Sequence, residues 1–299
     1  MQEATTTGSR ATAATKRPDL FHLYLELLKD VLVNNIYGRF EYTALLQNTS
    51  SRKRALGRVL FYIISAYRLL WRDHSIDGEP LVSKTFDYEK RQRGNDWPVY
   101  AYTMVGRKRL DQLQSCLDTI ERERIRGDLV EAGIWRGGVC IFMAAYLAAC
   151  GVNDRTIWAL DSFDGLPKPK PDKFPADKND THFTRRELRV SLESVKQNFK
   201  VFGAIDEKVK FVKGFFSDTA PTLPVEVIAI LRLDGDMYES TIVILRSLYS
   251  KVAKGGFVIV DDYALPNCKA AIDDFMRENN IKEDIVSIDE YSAYWRKTH

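Results

Sequence analysis

The sequence predicts an α/β fold, with a mostly parallel sheet flanked by helices on both faces and a helical extension at the N-terminus. Three observations carry that expectation. From Leu129 onward, short apolar runs of strand length alternate with longer stretches of helical periodicity. A glycine-bearing turn, Gly127-Asp-Leu-Val-Glu-Ala-Gly-Ile-Trp-Arg-Gly-Gly138, joins a strand to a helix. Two later apolar runs end in paired acids, Asp234-Gly-Asp236 and Asp261-Asp262, which a parallel sheet delivers to one edge of its ligand crevice.

In chain order, residues 1–17 are rich in Thr, Ala and Ser and read as a disordered tail without the apolar core of a secretory signal. Asp19 reads as an N-cap, and Leu20, Leu23, Tyr24, Leu27, Leu28, Val31 and Leu32 recur at helical spacing up to a stop near Asn34–Gly38. Arg52–Trp71 is a second helical stretch, basic at its start and apolar in its middle. Its polar face is barely defined, which favours a packing helix or an oligomer contact over peripheral membrane contact through 52–71. Asp73–Asp96 is polar and predicts a linker or extended arm. Residues 18–95 therefore form an N-terminal helical segment with its linker, and 96–299 the main domain. There a helix over Arg107–Arg124 precedes strands at Leu129–Glu131, Ile157–Leu160, Val209–Val212, Val227–Leu233, Phe257–Val260 and Ile285–Ile288.

Charge excludes some partners. The net charge of +3 is too small to argue for nucleic acid, and no basic groove interleaved with aromatics is present. Its distribution is uneven, +6 through Arg126 and −3 beyond, so the acidic excess falls where the paired acids lie. Cys116, Cys140, Cys150 and Cys268 show neither CxxC pairing nor metal-ligand spacing, which fits a reducing cytoplasm. No segment has the uncharged length of a membrane span.

The glycine turn lets backbone approach a ligand closely. It lacks the GxGxxG of a dinucleotide site, and Glu131 stands where phosphates would be repelled, so a positively charged sulfonium suits it better. The next strand ends in Leu160-Asp161-Ser162-Phe163-Asp164-Gly165, where Asp161 is placed to accept hydrogen bonds from both hydroxyls of a ribose. Gly214-Phe215-Phe216-Ser217-Asp218 offers an aromatic edge for an adenine ring, although taken alone core packing with an N-cap is the better explanation. The acids are the sharpest feature. Asp234, Asp261 and Asp262 on adjacent strand ends repel one another unless a cation neutralises them, and hard oxygen ligands favour magnesium, with manganese or calcium as alternatives. Helix capping is the competing explanation for Asp262 and Ser240.

The run from Thr103-Met-Val-Gly106 through GDLVEAGIWRGG, ALDSFDGLP, KGFFSDT, LRLDGDMYEST and VDDY resembles the macrocin O-methyltransferase family, enzymes that methylate sugar hydroxyls of natural products. The resemblance covers Asp96 to Asn280, and residues 23 to 38 are similar to the family's N-terminal helix. It implies the seven-stranded class I fold of S-adenosylmethionine (SAM)-dependent methyltransferases. It also implies a SAM site lined by Glu131, Gly133 and Trp135, with Thr103 and Met104 near the methionine moiety, Ser162 and Phe163 flanking the ribose on Asp161, and Gly214 and Phe215 beside the adenine. Asp234, Asp261 and Asp262 would ligate Mg2+. The segment Arg39–Asn95 is longer than the family pattern, which bears on acceptor identity and oligomer geometry.

The expected reaction is SAM-dependent O-methylation of a glycoside or other sugar-bearing small molecule by a homo-oligomeric enzyme. Asp234 is one candidate base. His182 is another, in a Lys/Asp-rich stretch, Pro167–Thr184, that reads as a mobile lid. A polysaccharide sugar or a catechol is an alternative acceptor. A nicotinamide-dependent sugar dehydrogenase or epimerase is the main competing activity, and a silent binding module a third.

Overall fold

The computed structural model describes residues 19–37, 42–44, 75–76, 79–83, 86–96 and 98–299. The tail at 1–17 and the apolar stretch Arg52–Trp71 lie outside the described residues. Helix α1, Leu20–Leu32, begins as expected, with the Asp19 carboxylate accepting from Phe21 N at 3.1 Å. One face buries Leu25, Leu28 and Leu32, while Leu20, Leu23, Tyr24 and Leu27 stay exposed on the other.

The expected linker carries structure of its own. Strand β1 (Tyr42–Ala44) and strand β2 (Ser75–Ile76) both pair antiparallel with β3 (Glu79–Ser83). Helix α2, Tyr88–Arg93, follows, capped by Asp87 and closed by Gly94 in the left-handed conformation. The sequence reading had a linker here, because six helical residues are too few to show periodicity. The buried Arg91 guanidinium forms an ion pair with Asp96 at 2.7 Å and donates to Val33 O at 2.6 Å, fixing this segment to the end of α1.

Helix α3 (Gly106–Arg122) leads into the main sheet. Its strands are β4 (Asp128–Ala132), β5 (Ile157–Asp161), β6 (Val209–Lys213), β7 (Ile228–Leu233), β8 (Val252–Val260), β9 (Val286–Ser287) and β10 (Ala293–Arg296), in the order β6-β5-β4-β7-β8-β10-β9. The first five pair parallel, and β10 runs antiparallel to β8 and β9. Six of these strands match the sequence expectation. The seventh, β10, was missed: Ala-Tyr-Trp-Arg is four residues long and follows a polar turn, although its alternation is real, with Ala293 and Trp295 buried.

Between the strands lie α4 (Gly138–Cys150), α5 (Leu192–Val201), α6 (Phe216–Thr219), α7 (Tyr238–Leu248) and α8 (Pro266–Glu278). Period-two alternation in β4 sends Leu129 into one core layer with α1, α3 and α4, and Val130 into the other with α7 and α8. Helix α4 is apolar around its circumference and is correspondingly buried over most of its length. The register places Ala132 beside Leu233, and Leu233 beside Val260, so that the residues following these strands emerge at one sheet edge. Because β10 is antiparallel and Ala293 pairs with Val260, the turn between β9 and β10 reaches the same edge.

Candidate active site

A cavity of about 350 Å³ runs along that edge. Strand order sets the sequence of its walls: Phe215 and Asp161 at the β6–β5 end, then Glu131 and Gly133, then Asp234, then Asp261 and Asp262, and finally Tyr291 from the β9–β10 turn. Thr103, Met104, Trp135, Ser162 and His182 also border it. Two residues expected at the site do not. Phe163 is 6% exposed and packs in the core, contributing only its N–H, which donates to Asp161 Oδ1 at 2.8 Å. Gly214 lies behind the wall, its N–H donating to Asp161 O at 3.0 Å and thereby holding the turn after β6 against β5.

The glycine turn is pressed between two strand ends. Gly133 adopts φ +94°, and a Cβ there would stand 1.7 Å from Asp234 O, so only glycine permits this approach. Asp161 fastens the turn from the side: Oδ2 accepts from Ile134 N at 2.9 Å and Trp135 N at 3.2 Å. Burial raises the Asp161 pKa, opposed by these backbone donors and that of Phe163. A carboxylate has about four acceptor positions, so Asp161 keeps little capacity beyond these bonds.

Glu131 is also occupied. Oε1 accepts from Arg232 at 2.6 Å and Oε2 from the Cys140 thiol at 2.8 Å. Its charge is thus offset only in part within the protein, by a guanidinium that it shares with Asp234 and Asp261. Arg232, itself buried, also donates to Asp234 Oδ2 at 3.0 Å and to Asp261 Oδ1. Asp261 Oδ2 in turn accepts from Arg109 at 2.6 Å.

One carboxylate oxygen from each of Asp234, Asp261 and Asp262 lies within 4.8 Å of the other two. Burial and mutual repulsion push the Asp234 and Asp262 carboxyls well up, and Asp236, buried beside Asp234, is raised to about 7. Three guanidiniums, Arg232, Arg109 and Arg185, thus face six carboxylates: Glu131, Asp234, Asp236, Asp261, Asp262 and Asp289. The cluster is short of positive charge, and an oxygen-only donor set of this size fits a hard divalent cation.

The stretch Pro167–Thr184 is not the free lid that its composition suggested. Asp177 is fully buried and caps α7, accepting from Tyr238 N at 2.8 Å and Glu239 N at 2.9 Å, while Lys170 pairs with Glu239 at 2.7 Å. Within this anchored strap, His182 Nδ1 lies 3.0 Å from Asp180 Oδ2, which also accepts from Asn267 at 3.0 Å. Arg232, Arg109, Asp177, Asp180 and Tyr291 escaped the sequence reading, which noted Asp236 as one of the paired acids but gave it no role. Arg232 alone had a signal, a charge inside the otherwise apolar run Ile228–Leu233.

The sheet order and the ligand crevice at its carboxyl edge define a class I SAM-dependent methyltransferase, and comparison with known proteins agrees. The fold superposes on the O-methyltransferase NovP with a TM-score of 0.77 at 37% identity, covering 93% of this chain and 100% of that one. The family description Macrocin-O-methyltransferase (TylF) matches residues 21–297, and the chain belongs to that family. It is 44% identical over 216 residues to demethyldecarbamoylnovobiocin O-methyltransferase of Streptomyces niveus, covering 72% of this chain and 82% of the relative. It is 41% identical over 221 residues to mycinamicin III 3''-O-methyltransferase of Micromonospora griseorubida, covering 73% and 87%. The protein is an O-methyltransferase that uses SAM, and the dehydrogenase and silent-module alternatives fall. Among the described residues, no helix is long and apolar enough to cross a membrane.

Proposed function

We propose that this enzyme methylates a sugar hydroxyl of a glycosylated small molecule, aided by a divalent cation, magnesium by its donor chemistry, held by Asp234, Asp261 and Asp262. The convergence of those three carboxylates within 4.8 Å carries the metal reading. The acceptor class is supported by relatives whose names specify the 3''-position of mycinamicin III and the 4'-position of a rhamnosyl tetracenomycin. A polysaccharide or catechol acceptor has no comparable support.

When bound, SAM supplies the methyl group and the cation lowers the pKa of the acceptor hydroxyl. The chain's residues do the rest. Asp161 holds the glycine turn in shape, with its remaining acceptor position for a ribose hydroxyl, and Phe215 borders the adenine end. Thr103, Met104, Trp135 and Ser162 wall the same end. Arg232 keeps Asp234 and Asp261 in register, so that a hydroxyl on their far side is aligned with the methyl donor. Alignment of reacting groups can supply about 7–11 kcal/mol.

His182 takes the hydroxyl proton. Its pairing with Asp180 fixes the imidazole orientation, leaving the other ring nitrogen to accept the proton. A second reading assigns that proton to Asp236, whose carboxyl is raised to about 7 and borders the same cavity. The exposed apolar face of α1 supports assembly of this enzyme as a homo-oligomer.

The test is methyl transfer from SAM to a panel of purified glycosides and catechols, with EDTA and with added magnesium. Transfer to glycosides that EDTA stops and magnesium restores is expected, with Asp234→Asn inactive yet folded. Undiminished transfer in EDTA would overturn the metal reading, and transfer to catechols alone the acceptor reading.

A further inference from the structure

Tyr291 stands at the opposite end of the cavity from the cofactor residues. Strand order makes this a geometric statement: Asp161 and Glu131 emerge from β5 and β4, the metal carboxylates from β7 and β8, and Tyr291 from the turn between β9 and β10. An acceptor oxygen approached by a methyl group from the β4–β5 side must lie near the acids, with the rest of its ring beyond them.

That turn is built rather than loose. Asp289, whose side chain is fully buried, accepts through Oδ1 from Tyr291 N and Ser292 N, both at 2.8 Å, and through Oδ2 from Arg109 at 2.7 Å. Ser292 Oγ donates to Asp261 O at 2.5 Å, and Ala264 N donates to Tyr291 O at 2.9 Å. The Tyr291 backbone is thereby tied to both sides of the Asp261–Asp262 turn. The Arg109 guanidinium lies over the Tyr291 ring, 5.8 Å from its centroid, while the other end of Arg109 holds Asp261. Although so firmly held, the ring is 43% exposed and borders the cavity.

We infer that Tyr291 is the platform on which the acceptor's pyranose ring stacks. The axial C–H face of a sugar is apolar with slight positive charge, complementary to the negative face of an aromatic ring. A rigid ring beside the metal carboxylates binds such a face at little entropic cost and fixes which hydroxyl reaches the acids. Arg109 links platform and carboxylates, so that stacking and alignment share one framework. The inference rests on the sugar-acceptor reading above and assigns that reading a residue.

The test uses the full chain with S-adenosylhomocysteine and magnesium. Saturation-transfer NMR is recorded on methyl α-L-rhamnopyranoside as a 6-deoxysugar probe, alongside calorimetric titration of S-adenosylhomocysteine. The expected result is ring-proton saturation with wild type, retention in Tyr291→Phe, and at least a fivefold loss in Tyr291→Ala and Tyr291→Leu, with S-adenosylhomocysteine affinity unchanged within twofold in all. Tyr291→Leu keeps bulk and hydrophobicity, which separates stacking from simple filling of space. An equal signal in Tyr291→Leu, or no signal from wild type, would overturn the platform. Failure of wild type to bind S-adenosylhomocysteine would instead indict the cofactor reading beneath it.

Discussion

Arg232 on β7 donates to Glu131 on the adjacent β4 at 2.6 Å, with both side chains almost wholly withdrawn from water. The same guanidinium reaches Asp234 and Asp261, so one cation joins the strand that opens the cofactor turn to two of the three clustered acids. Its pKa is pushed up by these carboxylates despite burial, and it stays charged. The glycine turn and the clustered acids therefore share a buried electrostatic support.

Replacing Arg232 by Met should destabilise the fold by about 3–5 kcal/mol, because removing one member of a buried pair strands the others. Arg232→Lys keeps the charge but not the fork that spans three carboxylates, and should fall between. Urea denaturation with matched slopes measures both. A loss under about 1 kcal/mol in Arg232→Met would show that the carboxylates do not depend on it.

Asp161 has two separable effects. In Asp161→Ala the N–H groups of Ile134, Trp135 and Phe163 lose their acceptor, at a cost of about 1–3 kcal/mol for a group left unsatisfied. The glycine turn then loses its lateral support, and S-adenosylhomocysteine affinity should drop. Calorimetric titration beside thermal melting distinguishes them: a lowered melting temperature with unchanged affinity would remove Asp161 from the cofactor site.

Asp177 acts as an N-cap supplied from a distant loop. Its carboxylate meets the N–H groups of Tyr238 and Glu239 just where α7 leaves the Asp234–Asp236 turn. Asp177→Ala should cost about 0.5–2 kcal/mol, the range for losing a cap. It should also free the strap, visible as faster tryptic cleavage after Lys173 and Lys178. Cleavage at the wild-type rate would mean that Lys170 and Asn267 hold the strap alone.

Much of this was readable in the chain because it follows from local rules. Strand-length apolar runs and glycine turns reveal the parallel sheet, and Asp234, Asp261 and Asp262 end strands whose adjacency the fold class implies. Tyr291 and Arg109 were not legible, since their meeting depends on an antiparallel strand, β10, whose four residues resemble many others. Asp177 was hidden for a related reason: its partners lie 61 and 62 residues away, and nothing local marks the Lys/Asp-rich stretch as anchored. Phe163 went the other way. Its place in a motif suggested ligand contact, whereas the left-handed turn at φ +55° directs the ring into the core and leaves its N–H on Asp161.

The raised acids make a linked prediction about pH and metal. Asp236 is pushed up to about 7, first by burial and then by Asp234, and Asp234 and Asp262 are raised in the same direction. A carboxyl whose folded pKa exceeds its unfolded value favours the folded state below the unfolded pKa, and that contribution is lost as pH rises through the folded one. In EDTA the melting temperature should therefore fall as pH is raised from about 4 to about 7, the window between the unfolded and folded pKa of Asp236. A divalent cation takes the place of the protons, so magnesium should flatten this slope, and its binding near the lower end should release protons. Scanning fluorimetry gives the slope, and titration of magnesium in two buffers of different ionisation enthalpy gives the proton count. A slope in EDTA no steeper than in magnesium, together with no proton release, would mean that Asp234, Asp236 and Asp262 remain ionised without the cation.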